Sequence, residues 1–421
     1  MPVGEVSTDH ILNVPLLSTK LAKAAWYNTF WSKLANFQGI TRTNGIRQTN
    51  PAPNVVVQML NDFVEEGRDN MLMSMILPLT EDPVYGDTWL KGTGETLSLR
   101  HLRVYINQVR KAVTKSSGNM SNQRLKHMNL MKEATPALIE YWSKWFNASL
   151  FMTMYEGISP EISNGKNDQG VGMKVRYHPN MYYAGTASGS TVTMGTVGTE
   201  FYTKTDADWA TADANVLGAL DSYFITLMNM KIKSDLLIEP ILTDLGDPFW
   251  LWLVHPQQFR GLKTESNIVS MQNSAFTGEL RRHPAVRGKD FLYYDGFCII
   301  EEQTGVRTAS KNSATSLATQ LADTNGWMKP PTNGARCFGS MILGRDALGL
   351  GVAENLRFTE EKDDHENVWE IGTRTIRGAN RADFFKSEDE ASVYDIGNAT
   401  KTIHTTAYEA INQSSLIAWT L

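Results

Sequence analysis

The sequence predicts an α+β protein whose main elements are a long hairpin and a long helix. Around residues 102–107 the apolar residues Leu102, Val104 and Ile106 alternate with more polar ones, which is typical of a strand with one apolar face. Between residues 128 and 152, large apolar residues recur mostly three or four positions apart, as they do on one stripe of a helix. Residues 249–254 form an unbroken apolar run, which indicates a buried strand.

Length and composition are those of an ordered protein with one large domain or two ordinary ones. The chain has 421 residues, of which 42% are hydrophobic and 20% charged, and its formal net charge is −5. A negative chain is not held on nucleic acid by a general excess of positive charge, so contact with a genome would be local. The N-terminus lacks a basic start followed by an apolar stretch, and no apolar run is long enough to span a bilayer. We therefore expect synthesis and action in the cytoplasm, without a membrane.

The first segment predicts an arm without a core of its own. Residues 1–50 are rich in Asn, Thr and Gln and are interrupted by Pro2, Pro15 and Gly39. Such a segment becomes ordered when a partner surface is available.

A long two-stranded hairpin is predicted for residues 71–115. Residues 79–95 are full of turn formers, and the alternating strand follows them. Leu97 and Leu99 are out of register with Leu102, which a bulge near Arg100–His101 would reconcile. Because a lone hairpin of this length is marginally stable in water, it must lie on another surface, and a neighbouring subunit is a good candidate.

A helix follows, from a cap at Ser121 to Gly157. About 35 residues give a rod of roughly 50 Å, and Pro136 should kink or split it. Residues 158–204 are rich in Gly, Ser, Thr and Asn, which predicts an insertion or surface loop. A second helix is expected at about 211–233.

The remaining chain is predicted to be mixed α/β. The buried strand at 249–254 is ended by His255-Pro256, and a short helix starts near Gln257. A strand is expected at 293–301. The last two strands are expected near 368–376 and 391–396.

No motif in the sequence indicates catalysis. Gly92-x-Gly94 and Gly349-x-Gly351 lack the third glycine and the lysine of a phosphate-binding loop, so turns are favoured. The sequence Asp363-Asp364-His365-Glu366, with Glu370, offers metal ligands, but its spacing is not HExxH, and a solvated acidic turn is favoured. Cys298 and Cys337 make neither a disulfide framework nor a CxxC motif. We expect no catalytic residue, no cofactor and no metal.

Several segments together resemble the major capsid protein family of tailed phages, best known from large podophages. The similarity runs in order from about residue 70 to 397. The segments that carry it are Gly86-Asp87-Thr88-Trp89-Leu90, Gly94-Glu95, Val104-x-Ile106-x-Gln108-x-Arg110-x-Ala112-Val113, Met120-Ser121-x-Gln123-Arg124, Trp142, Val254-His255-Pro256-Gln257, His283-Pro284 with Gly288, Leu343-Gly344-Arg345-Asp346-Ala347, Ile376-Arg377-Gly378 and Asp383-Phe384-Phe385.

The resemblance implies the Hong Kong 97-type capsid fold. That fold has an N-terminal arm, an extended β-hairpin loop, a long spine helix in a peripheral domain, and an axial domain. The implied limits are 1–69 for the arm and its lead-in, 70–118 for the extended loop, 119–234 for the peripheral domain with the spine helix and an insertion at 158–204, 235–365 for the axial domain, and 366–421 for the return to the peripheral domain and the C-terminal tail.

The resemblance also implies a function. Many copies would form hexameric and pentameric capsomers and close into an icosahedral shell around double-stranded DNA, in a virion assembled in the host cytoplasm. Scaffold, portal and decoration proteins are candidate partners. On or near the loop, Glu95, Arg103 and Arg110 are candidates for charge pairs between subunits, and the alternative is that they are merely solvated.

Two alternatives remain at this point. A protein nanocompartment shell shares the implied fold but encloses cargo proteins. A metal-dependent hydrolase would be built around His365 and its neighbouring carboxylates.

Overall fold

A computed structural model gives the fold of the chain. It describes residues 23–35, 41–43, 46–48, 55–60, 70–76, 83, 85, 94, 96–114, 130–163, 174–175, 178–184, 201–203, 219–242, 246–268, 289–302, 305–310, 336–363, 368–386, 402–403 and 410–420.

The described part of the chain contains nineteen strands and four α-helices with defined limits, and residues 23–27 and 266–268 are helical as well. The helices are α1 (Leu130–Glu156), α2 (Pro160–Ser163), α3 (Ser222–Lys231), which continues into a π-helical segment (Ile232–Leu236), and α4 (Pro256–Lys263), with a 3-10 turn at Trp31–Lys33. The strands are β1 (Thr41–Thr43), β2 (Ile46–Gln48), β3 (Val57–Leu60), β4 (Asn70–Ile76), β5 (Leu99–Tyr105), β6 (Asn107–Thr114), β7 (Lys174–Val175), β8 (Met181–Ala184), β9 (Phe201–Thr203), β10 (Ile241–Leu242), β11 (Pro248–Val254), β12 (Phe291–Tyr294), β13 (Phe297–Glu301), β14 (Arg307–Ser310), β15 (Arg336–Leu343), β16 (Leu348–Asp363), β17 (Val368–Arg381), β18 (Thr402–Ile403) and β19 (Ser415–Thr420).

A nine-stranded mixed sheet forms one of the two larger layers. Its strand order is β12-β13-β11-β15-β19-β8-β9, with β10 added to β11 and β14 to β15. Strand β11 runs parallel to β13 and antiparallel to β15, and β19 is parallel to β8. Strands from widely separated parts of the chain therefore meet in one sheet.

Strand β11 is apolar throughout because both faces of this sheet are covered. Phe249, Leu251 and Leu253 point into the core that contains Trp142 and Phe151 of α1. The residues between them belong to a second core, which contains Phe224 of α3. This two-sided burial explains why the strand does not alternate, and the predicted buried strand is confirmed.

A four-stranded sheet forms the second layer, in the order β3-β16-β17-β6. Helix α1 packs on one face of it. The indole Nε1 of Trp142 donates a hydrogen bond of 2.9 Å to Thr373 Oγ1, and the Thr373 hydroxyl donates to the backbone oxygen of Lys111 at 2.7 Å. Phe358 and Leu356 on β16 are buried on the same side. Helix and sheet are thus joined by both apolar and polar contacts.

Strands β4 and β5 form the predicted hairpin as a two-stranded antiparallel sheet. The register is continuous from Asn70 opposite Tyr105 to Ile76 opposite Leu99. The expected bulge near Arg100–His101 is therefore wrong. The interruption lies at Ile106 instead, where β5 ends and β6 starts in the other sheet.

The helices differ from the sequence patterns at Pro136 and at the start of α3. Helix α1 continues through Pro136, so the expected split does not occur, and its expected start at Ser121 lies outside the described residues. Helix α3 was expected from about residue 211, but residues 219–221 are not helical. It begins after an N-cap formed by Asp221, whose carboxylate accepts from the backbone nitrogen of Phe224. In α4 the ring of His255 and the side chain of Gln258 form a reciprocal capping box. Among the described residues, no helix is long and apolar enough to cross a membrane.

One larger difference concerns the second half of the chain. The predicted strand at 293–301 is a hairpin, since Asp295 and Gly296 adopt positive φ values of 48° and 82° and turn the chain between β12 and β13. The strand expected at 391–396 lies outside the described residues.

The strands of the two large sheets do not come from the ranges predicted above as domains. Strand β16 already belongs to the sheet of α1, although residues 235–365 are the predicted axial domain. Strand β19 lies within the nine-stranded sheet, although 366–421 is the predicted return to the peripheral domain. Within the predicted insertion 158–204, β8 and β9 extend the nine-stranded sheet. The domain limits remain predictions.

Candidate assembly surfaces

The hairpin β4–β5 has one covered face and one open face. Leu102 and Val104 are buried and pack with Leu60 and Ala353 at the base of the four-stranded sheet. On the other side, and just before β5, apolar residues meet solvent: the exposed fractions are 37% for Leu72, 63% for Leu97 and 48% for Leu99. Exposed apolar residues grouped on one projecting element are typical of a contact surface.

The root of the hairpin is held rigidly on the subunit. The backbone nitrogens of His101 and Phe385 each donate a hydrogen bond of 2.8 Å to the backbone oxygen of the other residue. The side-chain amide of Asn380 donates to the Arg103 oxygen at 2.9 Å. A Cβ added to Gly378 would lie 2.0 Å from the Tyr105 oxygen, so only glycine permits this close approach of two backbones. The hairpin direction is therefore fixed before any partner binds.

The three predicted charge-pair residues lie in different surroundings. Glu95 lies outside the described residues. Arg103 lies on β5 directly opposite Leu72, partly buried. Arg110 lies on β6, exposed and directly opposite Arg374 of β17. The structure therefore does not bring Arg103 and Arg110 together.

A buried polar junction links α1, the end of β17 and the segment before β19. Arg381 donates through Nε to Asp383 Oδ1 at 3.0 Å and through Nη2 to Oδ2 at 2.5 Å. Its Nη1 donates to the backbone oxygens of Met154 at 2.6 Å and Tyr155 at 3.3 Å, which are carbonyls of the last turn of α1. Asn412 donates to Asp383 Oδ1 at 2.8 Å.

The junction extends to the strand β8 through His178. The backbone nitrogen of Asn180 donates to His178 Nδ1 at 3.0 Å, so the ring proton is on Nε2, which is 3.0 Å from Ser415 Oγ. The side chain of Asn180 donates to the backbone oxygens of Asn412 and Ser415 at 2.6 and 3.0 Å. Burial, together with the charge of Arg381, holds the pKa of His178 well below its ordinary value. The imidazole is therefore neutral in the folded subunit.

A second buried ion pair holds α2 against β17. Arg377 Nε lies 3.2 Å from Glu161 Oε1, and Ser149 of α1 donates to both oxygens of that carboxylate at 2.8 Å. The guanidinium lies 4.2 Å from the ring centroid of Phe146. Burial lowers the pKa of Arg377, and the charge of Glu161 opposes that effect. Both arginine pairs are positioning contacts within the subunit.

These buried charges were not predicted from the sequence. Arg377 belongs to a segment that carries the family resemblance and Arg381 follows it, and their four-residue spacing places them on one face of an extended strand. Because β17 also contains Glu, Thr and Asn residues, its pattern does not distinguish buried arginines from solvated ones.

The described residues offer little for catalysis. They contain no group of three or more His, Cys, Asp or Glu residues able to hold a metal ion. His365 and its neighbours Asp364 and Glu366 lie outside them. Cys298 is a buried free thiol whose pKa is raised by burial, which makes it unreactive.

Comparisons with known proteins agree with a shell-forming subunit. Residues 12–403 match the family model described as phage capsid protein. No individual curated protein matches the sequence. The fold is similar to the capsid of Ralstonia phage GP4, with a TM-score of 0.58, 15% identity, and coverage of 91% of this chain and 94% of that one. It is also similar to the capsid of cyanophage Pam1, with a TM-score of 0.56, 15% identity, and coverage of 91% and 96%.

A third similar structure is the acid-stable capsid of Helicobacter pylori bacteriophage KHP30. Its TM-score is 0.55 at 11% identity, with 91% of this chain and 95% of that chain covered. These likenesses identify the fold as the Hong Kong 97-type capsid fold. The family model covers nearly the whole sequence, and the chain therefore belongs to the phage capsid protein family.

Proposed function

We propose that many copies of this chain close into the icosahedral shell that encloses the double-stranded DNA genome of a tailed phage. As a phage capsid protein the chain is part of the virion. The family supports the proposal that its role is structural and not catalytic. Copies form hexameric and pentameric capsomers. Scaffold, portal and decoration proteins act with the shell, and the DNA lies against its inner face.

The observation that carries this proposal is the open apolar face of the hairpin β4–β5. A subunit that acted alone would expose Leu72, Leu97 and Leu99 to water on an element fixed in one direction. In a shell, this face lies on the adjacent subunit and its apolar side chains leave water. Because each subunit makes several such contacts, weak single contacts sum to a stable particle.

Glu95, Arg103 and Arg110 are proposed to supply charge pairs at the contacts between subunits. Arg110 is exposed on the edge strand β6 and is open to a partner. We expect Glu95→Lys to weaken assembly, and normal particles from that variant would count against a role for Glu95.

The hairpin is tested by placing a charge on its open face. We expect Leu99→Asp to abolish particles while the subunit stays folded, since Leu99 is already half in water. The measurement is negative-stain electron microscopy with size-exclusion chromatography of the purified protein, with and without the phage scaffold protein. Met230→Asp, an exposed apolar position on α3, is the matched control and should leave assembly unchanged. Wild-type protein that stays monomeric even with scaffold would refute the shell.

Particle contents separate the shell of a virion from that of a nanocompartment. Packaged double-stranded DNA in particles from infected cells supports the first. Co-purifying cargo proteins in place of DNA would support the second. Stoichiometric metal and hydrolytic activity in protein that never assembles would point instead to an enzyme around His365.

A further inference from the structure

Three arginines lie side by side across the open face of the four-stranded sheet. Arg110 of β6 is directly opposite Arg374 of β17, and Arg374 is directly opposite Arg357 of β16. Directly paired residues lie on the same face of a sheet and adjacent strands are about 4.8 Å apart. Helix α1 covers the other face, where the neighbouring residues Phe358 and Thr373 are buried. We call these three residues the arginine row.

Among the described residues, few negative charges neutralise the arginine row. Glu354 is the carboxylate among the described residues that pairs with it, at 3.1 Å from Arg374 and 3.8 Å from Arg357. The side chains of Arg357 and Arg374 are 56% and 40% exposed. Like charges directly opposite each other destabilise a sheet. Three adjacent guanidinium groups with one carboxylate therefore form a surface that fits an anionic partner.

The complementary charge lies on the same hairpin, β16–β17, toward its far end. Glu361 and Asp363 lie on β16 beyond Arg357 at positions of the same face, and Glu370 of β17 is directly opposite Glu361. Glu360 and Lys362 lie at the alternate positions, which belong to the face of Ile371. We call the three carboxylate positions Glu361, Asp363 and Glu370 the acidic end.

The two charged regions cannot meet within one subunit. Four residues of extended chain separate Arg357 from Glu361, which is about 13 Å. The continuous register from Arg357 to Asp363 keeps the strand extended, so it does not fold back on itself. Because the hairpin β16–β17 holds the arginine row and the acidic end apart, the two can come into contact only between different copies of the chain.

We propose that the acidic end of one copy docks on the arginine row of a second copy. This inference rests on the proposed function and names a contact that the hairpin β4–β5 does not make. The contact joins two different surfaces, and a repeated contact of this kind generates a ring of subunits when the rotation between neighbours closes. The arginine row meets solvent, so salt screens the contact, and its strength comes from the number of copies.

The test uses charge reversal in the purified full-length chain. Arg357→Glu and Glu361→Lys are each expected to lower the assembled fraction by about tenfold at physiological salt, because many copies lose the contact at once. The double variant, which exchanges the two charges, is expected to recover to within about twofold of the wild type. Assembled and free subunits are quantified by sedimentation velocity. Arg260→Glu, on the exposed side of α4, is the matched control and should assemble normally.

The outcomes separate the contact from the shell itself. Free subunits of each variant are checked by urea unfolding, and an unchanged midpoint assigns a loss of particles to the contact and not to folding. Wild-type particles with unaffected Arg357→Glu particles would overturn the docking and leave the shell standing. A double variant as poor as either single variant would overturn it too. Wild-type protein that does not assemble even with the phage scaffold protein contradicts the proposed function instead.

Discussion

Replacing Arg381 by methionine should be among the most destabilising changes in the subunit. The substitution would leave the Asp383 carboxylate with Asn412 as its side-chain donor, and it would remove the donor that reaches the oxygens of Met154 and Tyr155. The Arg381 and Asp383 side chains are 0% and 4% exposed, so water does not replace the lost bonds. The variant buries a charge without its partner.

The size of the effect follows from that burial. Removing one partner of a buried pair costs about 3–5 kcal/mol, because an uncompensated charge is left behind. The helix carbonyls that lose their donor add to this, at about 1 kcal/mol for each hydrogen bond. With two such carbonyls, we expect a loss of about 5–7 kcal/mol in the free energy of unfolding. The assay is urea unfolding of free subunits, followed by tryptophan fluorescence.

Two further variants make this prediction refutable. Arg381→Met combined with Asp383→Leu removes both charges and should recover much of the loss, since apolar groups can replace a buried pair at little cost. Lys144→Met breaks the solvent-exposed pair with Glu140 on α1 and should leave the urea midpoint unchanged. If Arg381→Met cost less than about 1 kcal/mol, the junction would not be held by this pair.

The remaining predictions concern the hairpin root and pH. Gly378→Ala should prevent folding or displace the hairpin, because the new Cβ would meet the Tyr105 oxygen. Gly261→Ala on α4, where nothing lies within 4 Å of the new Cβ, should stabilise the folded subunit by about 0.5–1 kcal/mol. Differential scanning calorimetry compares the two variants. Since the pKa of His178 is depressed in the folded state, the unfolded chain binds a proton first, and stability falls as pH drops below about 6.5. His178→Gln should remove up to about 1.4 kcal/mol per pH unit from that slope in urea titrations at pH 5 to 7, and an unchanged slope would contradict a buried neutral ring.

The helices and strands that were predicted correctly are those whose apolar residues recur at a regular spacing within the element itself. The stripe of α1, the alternation of β5 and the apolar run of β11 each depend on burial on a defined face, and burial leaves a pattern in the residues themselves. The hairpin between β12 and β13 also left a local signal, Asp295-Gly296, which predicts a tight turn. The error there was in the interpretation and not in the sequence.

The long strand β16 and the assembly surfaces depend on what lies across the sheet. Leu348–Asp363 contains two glycines and two register shifts, which weaken the alternation. Arg110 was predicted as a candidate contact from its position near the loop. Its neighbours Arg357 and Arg374 were not, because only strand register brings residues so distant in sequence into one row. No single-sequence periodicity encodes that register.

The position of β19 inside the nine-stranded sheet has a consequence for how fast subunits become available. It pairs with β15 on one side and with β8 on the other, and His178 meets Ser415 across 237 positions of chain. Folding slows as contacts span longer stretches of chain, because the entropy of closing the loop is lost before the contact forms. We therefore expect the subunit to fold slowly for its size, with the pairing of β19 among the late steps. Temperature-sensitive variants should concentrate at the seam between β19 and β8, where a delayed strand leaves an unpaired edge open to aggregation.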